Sequence, residues 1–168
     1  MIDQTANLLG AVALAVSDRI HATARQIVSH SGETPAALVV IGYGTGPSND
    51  QLRRILRLSH PGTVRLVDRL VKDGLVERKK GQDRRAVALH LTPQGSALRE
   101  QLLSGRLAAV RPFVEALPKP ERETLSETLR SMLKALEPSD EERQSLCRMC
   151  DNRVCTNCPI PAQFHETQ

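Results

Sequence analysis

All four cysteines of this chain lie within twelve residues near its C-terminal end, at Cys147, Cys150, Cys155 and Cys158. The spacing C-x2-C-x4-C-x2-C brings two pairs of sulfur atoms toward one centre, and four thiolates are typical ligands of tetrahedral zinc. We therefore predict a metal site, with zinc favoured over an iron–sulfur cluster because the spacing is not that of ferredoxin-type runs. Redox-active thiols are the third interpretation. Four inert thiols are the least favoured, because the segment offers only Val154 for a core.

Basic side chains concentrate in a second region, residues 53–85. Eleven Lys and Arg stand there against four Asp and Glu, a net charge of +7 in a chain whose total is +4. The rest of the chain therefore carries −3. This polarised charge favours an anionic partner.

The arrangement of these charges indicates double-stranded DNA. Arg65, Arg69 and Lys72 fall at i, i+4 and i+7 of a predicted helix and therefore share one face. The other side of the helix is apolar and carries Leu66, Val67, Leu70 and Val71. A preceding short helix and a following basic hairpin complete the order of a winged helix-turn-helix. The alternative is a solvated basic face beside a surface hairpin.

Start and stop signals position these residues. A helix is predicted over residues 6–28, and Thr34 is predicted to cap a second helix with Pro35 at its first position. Asn49 or Asp50 is predicted to cap a third helix, and Ser59 a fourth that ends near residue 73. Period-two alternation predicts strands at 75–80 and 85–92.

Further helices are predicted on the C-terminal side of the hairpin. Thr92 is the expected cap of a long helix, which Pro112 is expected to kink. A final helix carries an apolar stripe from Leu125 to Leu136, and residues 137–142 are expected to form a solvated link to the cysteines. The predicted fold class is mainly α with a small β wing.

Composition excludes other classes of protein. Aromatic residues make up 2% of the chain, which disfavours an aromatic-rich binding cleft. The apolar stretch at residues 8–16 is too short to span a bilayer and lacks a basic leader, so we expect a cytoplasmic protein without a membrane partner. No nucleophile, paired carboxylate or phosphate loop rises above chance, and we predict that the chain is not an enzyme.

Two stretches together resemble the MarR family of winged-helix transcriptional regulators. They are LSHPGTVRLVDRLVKDGLVER at residues 58–78 and DRRAVALHLTPQG at residues 83–95. The resemblance covers about residues 6–136. It implies a sequence-specific regulator of transcription that binds double-stranded DNA at a pseudo-palindromic operator. The family usually has Ser or Thr immediately before the recognition-helix arginine, whereas this chain has Val64.

The resemblance also implies the roles of individual residues. It places Arg65 and Arg69 in the recognition helix and Arg84 at the wing tip, where Asp83 would hold the wing arginine by an ion pair. Further contacts to DNA are expected from the remaining members of the predicted site: Ser59, Thr63, Lys72 and Arg85.

A homodimer is implied as well, and it gives the expected domain order. Residues 1–32 form an N-terminal dimerisation helix, residues 33–95 the winged helix-turn-helix, residues 96–137 the C-terminal dimerisation helices, and residues 138–168 a linker with the cysteines. The expected signal is a small ligand, a metal or a redox change acting on a repressor, with Tyr43, Phe113 and His21 as candidates to line a ligand pocket. The competing function is a metal-binding protein whose basic domain docks a protein or RNA.

Overall fold

The computed structural model describes residues 1–28, 32–44, 46–80, 87–154 and 157–160. Within them the helices are α1 (Ile2–Ile27), α2 (Thr34–Ile41), α3 (Asn49–Leu56), α4 (His60–Lys72), α5 (Pro93–Glu115), α6 (Lys119–Ala135) and α7 (Asp140–Cys147). Two strands, β1 (Val76–Lys80) and β2 (Val87–Leu91), pair antiparallel with Val76 opposite Leu91 and Lys80 opposite Val87. The predicted fold class, mainly α with a small β wing, is confirmed.

The core lies in the region from α2 to β2, which we call the winged-helix lobe. Leu38, Leu52, Leu70 and Leu89 come from four different elements of this lobe and are each 0% exposed. Leu102 of α5 joins the same cluster. Aliphatic side chains alone fill this core, as the low aromatic content predicts, and burying each one contributes about 1.5–3 kcal/mol.

Side-chain caps set two of the boundaries that position the lobe. The Ser59 hydroxyl accepts a hydrogen bond from the Gly62 N–H at 3.2 Å and starts α4. The Thr92 hydroxyl accepts from the Gly95 N–H at 3.1 Å and starts α5. Both caps confirm the sequence prediction. A Cβ on Gly95 would lie 2.0 Å from the Leu75 carbonyl oxygen, which explains why glycine follows the Leu-Thr-x-x pattern at this junction.

Two predicted caps are wrong. Helix α2 begins at Thr34 itself, after Glu33, and has no side-chain cap. Helix α3 is capped by Ser48, whose hydroxyl accepts from the Gln51 N–H while the Gln51 side chain accepts from the Ser48 N–H. This reciprocal pair is a capping box, and it puts the cap of α3 one residue before Asn49 and two before Asp50.

The segment before the cysteines is helical in part. Residues 137–142 were expected to be a solvated link, but Ser139 caps α7 with a second capping box to Glu142. Helix α7 packs against α3 of the lobe. Pro112 lies inside α5, which continues to Glu115.

Helices α1 and α6 leave apolar side chains uncovered. Leu8, Val12 and Leu14 of α1 are 58%, 51% and 69% exposed. Helix α6 has no buried residue at all, although Leu129 and Leu136 lie on its apolar stripe. One chain therefore does not complete the packing of these two helices. None of the helices in the described part of the chain is long and apolar enough to cross a membrane.

Candidate functional site

Helix α4 presents part of the predicted basic face to solvent. Arg65 and Lys72 are exposed, and neither forms an ion pair with a described residue. The Arg65 Nε–H donates to the Pro61 carbonyl one turn earlier at 3.3 Å, which leans the guanidinium toward the N-terminal end of α4. Ser59 is exposed at that same end. Arg65 and Lys72, seven residues apart, therefore lie along one outer edge of the helix, and Ser59 lies at its N-terminal end.

Two other predicted residues of α4 turn inward. Thr63 is 1% exposed, and its hydroxyl donates to the Ser59 carbonyl at 3.1 Å. The structure therefore does not bring Thr63 to the surface beside Arg65, and its contact with DNA stays a prediction. Arg69 is half-buried and donates from Nη2 to the Thr34 hydroxyl at 3.3 Å. Its Nε is buried and has no partner among the described residues.

The described part of the wing is strongly basic at its outer end. Arg78 of β1 pairs with Asp68 of α4, which ties the strand to that helix. Lys79 pairs with Glu77 at 2.8 Å, and Lys80 is exposed at the end of the strand. The predicted wing residues Asp83, Arg84 and Arg85 lie outside the described residues.

Helix α3 adds arginines that the sequence counted as charge but did not single out. Asp50 pairs with Arg53 at 2.9 Å and with Arg54 at 3.3 Å. The hydrogen bond from Arg53 is the main reason that the pKa of Asp50 lies below its usual range. These pairs fix both arginines along the exposed side of α3, next to α4. The signal for them was the i, i+3 and i+4 spacing from Asp50.

The first pair of cysteines is assembled. Cys147 and Cys150 hydrogen-bond through their side chains, and the Cys150 N–H donates to the Cys147 carbonyl at 2.8 Å. That side-chain hydrogen bond, with the charges of Arg106 and Arg148, lowers the pKa of Cys150 to about 6 despite its partial burial. The thiolate is the metal-binding form of cysteine, so this pair is electrostatically suited to a cation.

The second pair is only partly described. Cys158 is half-buried, and Cys155 lies outside the described residues. Within the described ranges, no three His, Cys, Asp or Glu side chains are grouped in a way that could hold a metal ion. The predicted four-cysteine site therefore stays a prediction.

The three candidates for a ligand pocket have other neighbours. Tyr43 points its hydroxyl at the carbonyl oxygens of Cys147 and Cys150, at 2.9 and 2.8 Å. Burial is the main cause that raises the pKa of this tyrosine. Arg19 lies over the Phe113 ring, 5.2 Å from its centroid. His21 Nδ1 contacts the Ser17 carbonyl within α1 at 2.8 Å. The contact between Tyr43 and the cysteine segment had no signal in the sequence.

Comparison with known proteins agrees with this geometry. Residues 31–86 match the sequence model of the MarR family. This range runs from α2 into the hairpin and contains the whole helix-turn-helix. No curated protein matches the chain at a significant level.

Solved structures resemble most of the chain. A mutant of MepR from Staphylococcus aureus, bound to an oligodeoxyribonucleotide, shares 21% identity with a TM-score of 0.60, covering 79% of this chain and 97% of its own. MepR is described as a transcription regulator of the multidrug efflux pump MepA. CouR from Rhodococcus jostii RHA1, bound to p-coumaroyl-CoA, shares 24% identity with a TM-score of 0.60, covering 77% and 92%. Apo MarR from E. coli shares 25% with a TM-score of 0.60, covering 74% and 96%. The family and these neighbours are transcription regulators and not enzymes.

Proposed function

We propose that this chain, whose residues 31–86 match the sequence model of the MarR family, is a homodimeric regulator of transcription that binds a pseudo-palindromic operator in double-stranded DNA. The observation that carries the proposal is the exposed basic surface of α4 and β1, two elements that pack against each other. Arg65 and Lys72 lie on it without ion-pair partners among the described residues, and Lys80 extends it along the wing. A surface of this shape and sign fits the major groove and its flanking phosphates.

Within that surface, α4 is the recognition helix. Its buried side chains Leu66, Val67 and Leu70 fix the helix on the lobe, so that its opposite edge faces outward. Arg65 is the residue best placed for base contacts, because arginine reads guanine through paired hydrogen bonds in the major groove. Lys72 and Lys80 neutralise phosphates. In the free protein, Arg69 positions α4 against α2 through its hydrogen bond to the Thr34 hydroxyl.

The wing tip enters the proposal through the resemblance alone. Arg84 and Arg85 would reach the minor groove or the backbone, with Asp83 orienting them. The strands that lead to this tip, β1 and β2, pair from Val76 to Lys80, and β1 ends in the exposed residues Lys79 and Lys80. This arrangement supports a DNA-facing tip.

The homodimer is supported by the uncovered apolar residues of α1 and α6. Leu8 and Val12 on α1 and Leu129 and Leu136 on α6 are all more than two-fifths exposed. Exposed apolar side chains that cluster along one helix typically mark an interface between proteins. A second copy of the chain would cover them and would present two recognition helices to two half-sites.

The signal to which the regulator responds belongs to one of three classes: a small ligand, a metal or a redox change. CouR was crystallised with p-coumaroyl-CoA, which supports a small-molecule effector in a protein of this fold. The cysteines support the other two classes. We assign the regulator to the cytoplasm, and we propose repression as the sign of its action.

Selection of bound fragments from genomic DNA tests the proposal. The expected result is a set of duplexes that share an inverted repeat, bound with an affinity that falls steeply as salt rises. Equal binding to all duplexes, or a preference for RNA or for a protein partner, would refute sequence-specific DNA binding. Arg111→Ala is the control for substitutions on the basic surface. Arg111 is an exposed arginine on α5 and, among the described residues, pairs only with Glu115, at 3.9 Å.

A further inference from the structure

The cysteine tail, residues 138–168, packs on the rest of the chain through its described part. Helix α7 lies along α3, and Met149 packs at the edge of the hydrophobic core. Asp151 is 7% exposed, and Arg153 donates to both of its carboxylate oxygens at 2.9 Å. Arg153 also forms an ion pair with Glu100 of α5 at 2.8 Å. The described part of the tail is therefore a folded element of the protein.

Cys147 and Cys150 of this tail contact each other. Their side chains hydrogen-bond, and the Cys150 N–H donates to the Cys147 carbonyl at 2.8 Å. A turn closed between residues i and i+3 brings their Cα atoms within about 7 Å, and a disulfide joins Cα atoms that are about 4.4–6.8 Å apart. Both side chains are partly exposed. The backbone therefore holds the two thiols where one bond can join them.

The chemistry of this contact favours a redox reaction. Within the described ranges, no third Cys, His, Asp or Glu joins the two thiols in a group that could hold a metal ion. Two thiols fall short of the four ligands of structural zinc, but a disulfide requires only two. In the reducing cytoplasm, to which we assign the protein, a disulfide is typically transient and serves catalysis or redox sensing.

The turn that carries the two thiols is joined to the winged-helix lobe at two points. The Tyr43 hydroxyl lies 2.9 Å from the Cys147 carbonyl oxygen and 2.8 Å from that of Cys150. Tyr43 comes directly after Gly42, the residue that ends α2. Helix α7 ends at Cys147 and packs against α3, the first helix of the helix-turn-helix. A change in the turn therefore reaches α2 through Tyr43 and α3 through α7.

We propose that Cys147 and Cys150 form a redox-active dithiol, that a hydroperoxide converts it to an intramolecular disulfide, and that this disulfide weakens DNA binding. The inference rests on the proposed function and assigns its redox class of signal to one pair of residues. A disulfide sets two sulfurs about 2.05 Å apart, closer than the partners of any hydrogen bond. Forming it shifts the turn whose carbonyls the Tyr43 hydroxyl bridges in the reduced protein.

Hydrogen peroxide balances the oxidation. One sulfur attacks as a thiolate, the O–O bond breaks, and a sulfenic acid forms while the departing hydroxide takes up a proton and leaves as water. The second thiol attacks the sulfenic sulfur, the S–S bond forms, the S–O bond breaks, and a second water leaves. Together the two cysteines lose two electrons and two protons. A dithiol reductant reverses the reaction by thiol–disulfide exchange.

Peptide mapping of the full-length protein tests the disulfide without any variant. Trypsin cuts after Arg148 and Arg153, so each member of the pair falls on its own peptide and the other two cysteines fall together on a third. After a small excess of hydrogen peroxide, we expect the peptides 144–148 and 149–153 to be joined, and dithiothreitol to separate them. A bond from either peptide to the third one, or two thiols that stay reduced, would overturn the assignment of the pair.

Duplex binding by reduced and by peroxide-treated protein tests the regulation. Oxidation should lower the affinity for the selected duplex by about 5–150-fold, as is typical of coupling between two sites, and a reductant should restore it. Cys147→Ser combined with Cys150→Ser should abolish this response. Val154→Ala should keep it, because Val154 lies near the pair and is 60% exposed. Tyr43→Phe should still form the disulfide but respond less, because phenylalanine has no hydroxyl to bridge the two carbonyls.

The two proposals fail separately. A mapped disulfide with equal duplex affinity in both redox states would refute the regulation and leave DNA binding standing. Reduced protein that binds no duplex would refute the proposed function and the regulation with it, while the mapped disulfide would stand. A peroxide response that persists in the double cysteine variant would assign the signal to other residues and overturn the inference.

Discussion

The winged-helix lobe buries its apolar side chains, whereas the helices α1 and α6 leave apolar side chains exposed. In the lobe, Leu38, Leu52 and Leu70 are fully buried within one chain. Leu129 of α6 and Leu136, the residue that caps this helix, are 44% and 59% exposed, and no residue of α6 is buried. The lobe therefore owes its packing to contacts within the chain, whereas the described part of the chain leaves apolar side chains of α1 and α6 uncovered.

The first prediction breaks the lobe. Leu70→Ala removes a fully buried side chain of α4 and should lower the free energy of unfolding by about 2–5 kcal/mol, because the transfer energy is lost and a cavity remains. Leu129→Ala is the matched comparison. It should lower the free energy of unfolding of a single chain far less, since Leu129 is partly exposed. Urea denaturation measures both. Equal losses would show that the two regions do not differ as described.

The second prediction concerns the junction between the lobe and α5. Gly95→Ala places a Cβ 2.0 Å from the Leu75 carbonyl oxygen, which is backbone and cannot turn aside. The resulting shift should cost about 1–3 kcal/mol. Gly10→Ala, where an added Cβ meets nothing within 4 Å, should not lower stability. A Gly95→Ala protein as stable as the wild type in urea would contradict the packing at this junction.

The third prediction acts on the exposed helices and leaves the lobe intact. Leu129→Asp puts a charge on the apolar stripe of α6 and should weaken the proposed dimer at least about tenfold, or about 1.4 kcal/mol. Ser131→Asp adds the same side chain on the other side of the helix and should leave the dimer unchanged. Sedimentation across a range of concentrations compares them. A wild-type protein that remains monomeric at micromolar concentration would refute the dimer.

The lobe was also the region most accessible to sequence reasoning. Ser59 and Thr92 announce their helices through local hydrogen bonds, which depend only on neighbours in the sequence. Thr34 has the same residue type, but its hydroxyl accepts from Arg69, 35 residues away, and it caps nothing. A helix cap can be predicted from the sequence when the capping side chain has no hydrogen-bond partner in a distant part of the chain.

Helical spacing predicts which side of α4 carries the basic residues, but it does not predict how far each of them is exposed. Arg65 and Lys72 are exposed as predicted, whereas Arg69, which the period puts on the same face, is half-buried and donates to Thr34 of α2. The period of the helix gives the direction of a side chain but not the neighbour that packs beside it.

The tail was the least accessible region. The Ser-x-x-Glu pattern of the capping box, from Ser139 to Glu142, is present in the sequence. Because residues 137–142 have few apolar side chains, the sequence instead predicts a solvated link there. The position of α7 depends on the hydrogen bond from the Tyr43 hydroxyl to the Cys147 carbonyl. Tyr43 lies more than 100 residues earlier, and no local pattern encodes that contact.

The central claim is that the basic edge of α4 reads DNA, and the salt dependence of duplex binding tests it most directly. Arg65→Ala should weaken binding to the selected duplex by about 1–3 kcal/mol and reduce its preference over bulk DNA, while Lys72→Ala should lower the salt slope by about one. Arg111→Ala should match the wild type. The account is contradicted if Arg65→Ala binds the selected duplex as tightly and as selectively as Arg111→Ala does.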